Sequence, residues 1–251
     1  MAFSLLANGL RVVFLVLCCF MVATLIYTIS IDGLPFRWDI LTPWMAATLV
    51  DFYINVVPFA VWISYKESSL ITATLWVIML ICFGSITTSG YLFIQFIKLS
   101  PQESLENPIY HVLLQHMNKN ESKPKGKHSS VVIARIIFSV LGFLMLGTLI
   151  YTLLTDGSPF RKELLTPWMT ATLIDFYINV VALSVWVAYK ESSWITAVFW
   201  IVLLICFGSI TTCGYIVKEL FKLAWQDDPL YLVLITKDNR QVYKTTFSVF
   251  Y

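Results

Sequence analysis

Asp51 and Asn55 lie four positions apart in TPWMAATLVDFYINVV (Thr42 to Val57). The same pair returns as Asp175 and Asn179 in TPWMTATLIDFYINVV (Thr166 to Val181). On a helix, Thr48, Asp51 and Asn55 fall at i, i+3 and i+7, which is one face, and Thr172, Asp175 and Asn179 repeat the stripe. Both runs are otherwise apolar. A carboxylate at membrane depth costs at least ~2.5–3.5 kcal/mol, so it must face the interior of a bundle and be protonated, hydrogen-bonded or watered. Such a stripe can hold a proton, a small cation or a polar solute. The competing reading is structural, a hydrogen-bonded clasp between helices contributing ~0.6–2 kcal/mol per contact.

Three other repeated strings carry polar groups. LICFGSITT-x-GY covers Leu80 to Tyr91 and Leu204 to Tyr215. Its Gly84–Thr88 and Gly208–Thr212 spacings read as small-residue faces for close helix packing. Its hydroxyls Ser85 and Thr88, with Ser209 and Thr212, are candidates to complete a polar pathway opposite the Asp–Asn pairs. DG-x-PFR (Asp32 to Arg37, Asp156 to Arg161) is a turn signal, and Arg37 and Arg161 are candidate contacts for anionic head groups. YKESS (Tyr65 to Ser69, Tyr189 to Ser193) predicts a tight connection in which Ser68 or Ser69 caps the next helix and Lys66 reaches the interface. Metalloprotease, nucleophile-elbow and phosphate-loop motifs are missing, so no enzyme, metal or cofactor is expected. His111, His116 and His128 all lie outside the apolar runs. The five cysteines show neither disulfide nor metal spacing and read as packing residues.

These side chains need elements to position them, and composition names the solvent. The 251 residues are 58% hydrophobic and 13% charged, with mean hydropathy +0.77; soluble domains are about a quarter charged. A net charge of +2 with scattered lysines gives no case for nucleic acid. Val12–Ile31, Leu70–Ile97, Ile136–Thr155 and Trp194–Val217 are uncharged runs near the ~20 residues a crossing needs. Trp44–Tyr65 and Trp168–Tyr189 qualify if each tolerates an aspartate, and their aromatic ends suit interfaces. The first run is too long for a cleaved signal and reads as an anchor.

The chain repeats itself. Arg11–Leu99 and Arg135–Leu223 are identical at 54 of 89 positions, with 15 of 17 from Leu41 to Val57 but 10 of 21 from Arg11 to Ile31. Selection therefore holds the start of each second helix. The expected organisation is a three-helix repeat over 1–99, a polar lysine-rich linker with a short interfacial segment over 100–130, a second repeat over 131–223, and an interfacial segment and tail over 224–251. Three crossings per copy predict inverted halves, the plan of many transporters. Termini then share one face and the linker lies on the other, which divides lysine and arginine nine against eight and leaves the orientation undecided. Asn120 begins a glycosylation sequon that matters only in a luminal linker.

The doubled pattern TPWM…DFYINV…VW…YKESS…GSITT-x-GY resembles, over nearly the whole chain, a plant membrane-protein family known as domain of unknown function 1475. That resemblance implies an integral membrane protein and no particular activity. The expectation is thus an all-α, multi-pass protein of the endomembrane or plasma membrane, with six transmembrane helices as two inverted three-helix repeats. Its leading function is transport of a small polar solute or ion at Thr48, Asp51, Asn55, Thr172, Asp175 and Asn179. The rival is a non-catalytic scaffold, open to homo-oligomerisation, in which those residues are clasps. A lipid or isoprenoid enzyme using the aspartates as acids is the third reading.

Overall fold

The first helix, α1 (Ala2–Asp32), stops where the Asp-Gly step predicts, at Gly33 with φ 73°. The computed structural model describes residues 2–113 and 128–222. After a short 3-10 turn comes α2 (Pro43–Lys66), whose start is written in its sequence. Pro43 supplies a helix-ready φ, and the Thr42 hydroxyl accepts the Met45 N–H at 3.2 Å. Next are α3 (Leu70–Phe83) and α4 (Ser85–Ile97), separated by Gly84 alone. Two short helices follow, α5 (Pro101–Glu106) and α6 (Pro108–Leu113). The second copy gives α7 (His128–Asp156), α8 (Pro167–Lys190) and α9 (Trp194–Phe221). Five of these, α1, α2, α7, α8 and α9, are long and apolar enough to cross a membrane, so the chain is a multi-pass membrane protein.

The third segment of each copy is not a straight rod. Gly84 sits at φ 52°, ψ −125°, and Gly208, inside α9, at φ 50°, ψ −124°. Only glycine adopts such a backbone readily. Beyond it the chain folds back on itself. The rings of Trp76 and Tyr91 lie 4.9 Å apart, as do those of Trp200 and Tyr215 at 5.1 Å. Fifteen residues of continuous helix would separate them by ~22 Å. Thr87 Oγ1 donates to the Met79 carbonyl and Thr211 Oγ1 to the Leu203 carbonyl, each at 2.9 Å across the bend. Lys218, near the end of α9, meets Glu191, just before its start, at 2.9 Å. Both copies therefore carry a helical hairpin where the sequence predicts one crossing. Gly84 and Gly208 are bends as well as points of close helix approach.

The copies also run in the same direction, not inverted. The Trp168 indole N–H donates to the Gly33 carbonyl at 3.2 Å, joining the start of α8 to the loop that precedes α2. Trp44, Met45, Trp168 and Met169 share one apolar cluster, with Leu25 and Leu149 against it. The N-terminal ends of α2 and α8 thus lie together. At the other end the Arg11 Nε donates to the Phe96 carbonyl at 2.9 Å, and Arg135 repeats this at the Leu220 carbonyl at 2.7 Å. The inverted arrangement followed from counting three crossings per copy, and the hairpins remove its premise. Packing crosses between copies: α1 touches α8 as well as α4, and α7 touches α2 as well as α9.

Two smaller expectations change. Ser69 precedes α3 without a side-chain cap bond. Residues 101–106, expected in a polar linker, form α5, where Ser100 and Glu103 close a capping box, and the short segment expected after them is the proline-started helix α6. Both helices pack on α1. The interfacial segment after the second repeat lies outside the described residues.

Candidate functional site

The DFYIN string reaches both copies at once. Asp51 Oδ1 accepts the backbone N–H of Ser209, and Asp175 Oδ1 accepts that of Ser85, both at 2.7 Å. The Ser85 hydroxyl also donates to Asp175 Oδ1. Each carboxylate therefore caps the returning half-helix of the other copy, where a helix N-terminus leaves N–H groups unpaired and concentrates positive potential. The aromatic residues next in the string serve their own copy. Tyr53 O–H donates to the Ile81 carbonyl at 3.5 Å and Tyr177 O–H to the Ile205 carbonyl at 3.4 Å. A Cβ on Gly84 would stand 2.8 Å from Phe52 Cζ and 2.9 Å from Asp175 Oδ1. On Gly208 the corresponding distances are 2.7 Å to Phe176 Cζ and 2.9 Å to Asp51 Oδ1. Backbone angle and crowding both require glycine at each bend.

The asparagines break the symmetry. Thr212 Oγ1 donates to Asn55 Oδ1 at 2.6 Å. Thr88 Oγ1 instead makes a long 3.5 Å bond to the Gly84 carbonyl. Asn55 and Asn179 are both 0% exposed. Among the described residues neither Nδ2 has a hydrogen-bond partner, and Asn179 Oδ1 lacks one as well. Buried polar atoms left this way each cost about 1–3 kcal/mol. The tryptophans differ similarly, since Trp168 Nε1 bonds Gly33 while the buried Trp44 Nε1 has no partner among the described residues.

The sequence-selected residues divide as follows. Asp51 and Asn55 both engage α9, and Asp175 engages α4. The serines meet the aspartate of the opposite copy: Ser85 binds Asp175, not Asp51. Because the copies run parallel, the two carboxyls lie at the same level of the bundle. Thr48 and Thr172 turn back to the carbonyls of Trp44 and Trp168 at 2.8 and 2.9 Å. Arg37 and Arg161 stay in their loops, paired to Asp32 at 2.7 Å and Asp156 at 2.8 Å. The Asp32 hydrogen bond raises the Arg37 pKa above its ordinary value. Asn120 lies outside the described residues. The aromatic half of DFYIN and the bends themselves escaped the sequence reading; nine consecutive identities, Leu80 to Thr88 against Leu204 to Thr212, were the available signal.

A cavity of about 760 Å³ leads to one of the clasps. It is bounded by α1, the Arg37 loop, α2, the Gly84 bend and α8, with Asp175 and Thr172 in its lining. A second cavity of about 430 Å³, walled by Val57, Trp62, Phe138 and Leu183 among others, is almost wholly apolar. Among the described residues no group of three or more His, Cys, Asp or Glu side chains could hold a metal ion.

A family model described as a protein of unknown function (DUF1475) matches the chain twice in tandem, over residues 3–120 and 121–241. No curated protein matches the chain, and no solved structure does.

Proposed function

We propose that this chain, which belongs to the DUF1475 family, is a membrane carrier or channel for a small polar solute or ion. In this reading α1, α2, α7 and α8 cross the bilayer, and the two Gly-bent hairpins enter and leave by the same face. The observation that carries it is the cavity descending past Arg37 to Asp175 and the Gly84 bend. Interrupted helices at membrane depth are tolerated where they are buried in protein or line a water-filled space, and transporters place their sites at such breaks. Asp51 lies eight residues below Pro43, or ~12 Å at 1.5 Å per residue, well inside a ~30 Å core.

Orientation follows from the parallel copies. Among the described residues, Arg11, Lys66, Lys98, Arg135, Lys190, Lys218 and Lys222 are at the end holding the α1 N-terminus, and Arg37, Arg161 and Lys162 are at the other. In this reading the excess of seven against three favours the first end on the cytoplasmic side, with the mouth of the cavity facing away from it.

The scaffold reading has one observation in its favour: the aspartates already cap the hairpins, so the clasp is complete without a solute. Proteoliposomes separate the two. Flux of labelled small cations, amino acids and sugars is measured for a cysteine-free protein carrying Thr172→Cys, before and after a membrane-impermeant thiol reagent. Carrier function requires flux of at least one solute and its block by the reagent. A folded protein that passes none of them is a scaffold.

A further inference from the structure

Resting on the carrier reading, we infer that the cavity above Asp175 selects small organic cations, ammonium compounds in particular. The first observation is charge. Asp175 is in the lining, and both of its hydrogen bonds fall on Oδ1, leaving Oδ2 without one among the described residues. At the mouth Arg37 is bonded to Asp32 at 2.7 Å and lies 3.9 Å from Asp39. Asp32 and Asp39, which flank Arg37 outside the lining, offset its positive charge and leave Asp175 as the carboxylate that faces a solute in the cavity.

The second observation is a shortage of donors. Of the polar groups lining the cavity, Tyr53 O–H is given to the Ile81 carbonyl, Thr172 O–H to the Trp168 carbonyl and Trp168 N–H to the Gly33 carbonyl. The Cys82 thiol and the indole of Trp38, 91% exposed at the rim, are what remain besides Arg37. An anion or a sugar acceptor would enter with few partners and lose its hydration. A cation loses less, because it gains a carboxylate oxygen.

The third observation distinguishes an organic cation from a metal ion. Hard metal ions need six or more oxygen ligands, or most of their water. This cavity offers one carboxylate and aromatic walls: Phe36, Trp38, Phe52, Tyr53, Phe83 and Trp168 all line it. Aromatic faces attract weakly hydrated ammonium groups. The volume, about 760 Å³, accommodates small amines with room for water.

The test uses the full chain in lipid nanodiscs, with binding of tetramethylammonium, potassium and acetate followed by tryptophan fluorescence and calorimetry. Tetramethylammonium should bind, potassium should compete poorly, and acetate should not bind. Asp175→Asn should weaken tetramethylammonium about tenfold, the scale of one contact to a charged group. Because that variant also touches the hairpin clasp, Trp38→Ala, at the exposed rim, supplies a second arm and should weaken it severalfold, as a lost cation–π contact does. Arg37→Gln should strengthen binding. Acetate binding lost in Arg37→Gln, potassium competing as an equal, or unchanged affinity in folded Asp175→Asn would each overturn the inference. Failures of the two readings differ: tetramethylammonium that binds but never crosses proteoliposomes removes the carrier and leaves the site. Flux of a neutral solute without cation binding does the reverse.

Discussion

Asp51 and Ser209 are 158 residues apart in the chain and 2.7 Å apart in the fold. Asp175 and Ser85, 90 residues apart, repeat the contact at the same distance with the copies exchanged. Each copy thus finishes a helix that the other has interrupted. The bond is charge-assisted and reciprocal, which makes the two copies a single folding problem rather than two linked ones.

Asp51→Asn and Asp175→Asn should be mild for abundance, since asparagine keeps an oxygen facing the serine N–H. Asp51→Leu and Asp175→Leu should each cost about 1–3 kcal/mol by stranding that N–H. Detergent-solubilised thermal unfolding reads the difference. Equal stability of the Asn and Leu variants would remove the capping role.

Gly84→Ala and Gly208→Ala should be among the most damaging single changes in the chain. The new Cβ meets Asp175 and Phe52, or Asp51 and Phe176, and the positive φ adds about 1–2 kcal/mol of strain. Size-exclusion profiles should show little monodisperse protein, whereas Gly9→Ala, with nothing within 4 Å, should behave as wild type.

Thr212→Val should destabilise more than Thr88→Val, although the sequence makes them equivalents. Thr212 satisfies Asn55 at 2.6 Å, whereas Thr88 has only a 3.5 Å contact to Gly84. The gap expected is about 1–2 kcal/mol, from leaving Asn55 Oδ1 unpaired. Identical losses in chemical denaturation would mean that the asymmetry is without energetic weight.

Single cysteines at Leu34 and Ser158, one in each loop of the DG-x-PFR type, should be labelled by an impermeant thiol reagent from the same side of the membrane. Tags at Met1 should be protected from protease on that side. Labelling from opposite sides would restore the inverted arrangement.

Much of this fold was legible and one part was not, for a physical reason. Period and identity placed the Asp51–Asn55 stripe on an inward face, and both residues do turn to α9. Thr42-Pro43 and Asp32-Gly33 marked a helix start and a helix stop by local chemistry that survives any tertiary context. The hairpins were missed because hydropathy measures length along the chain, and 28 apolar residues look alike whether they cross or return. Parallel or inverted copies then hang on that single misjudged parity. The partner of each aspartate was also beyond reach, because nothing local to Asp51 says whether it bonds Ser85 or Ser209. Residues 101–106 did carry their signal, the Ser-Pro-Gln-Glu capping pattern, and it was overlooked beside the lysine-rich stretch that follows.

The exchange of caps also sets an order of events at the ribosome. When Ser85 is made, the residue that will cap its hairpin, Asp175, is still 90 positions further along the chain. At about 5–20 residues per second the Ser85 end waits roughly 5–20 s in lipid or in the insertion machinery. Through that interval the nascent chain holds an uncapped half-helix. Arrival of the second DFYIN string ends the exposure.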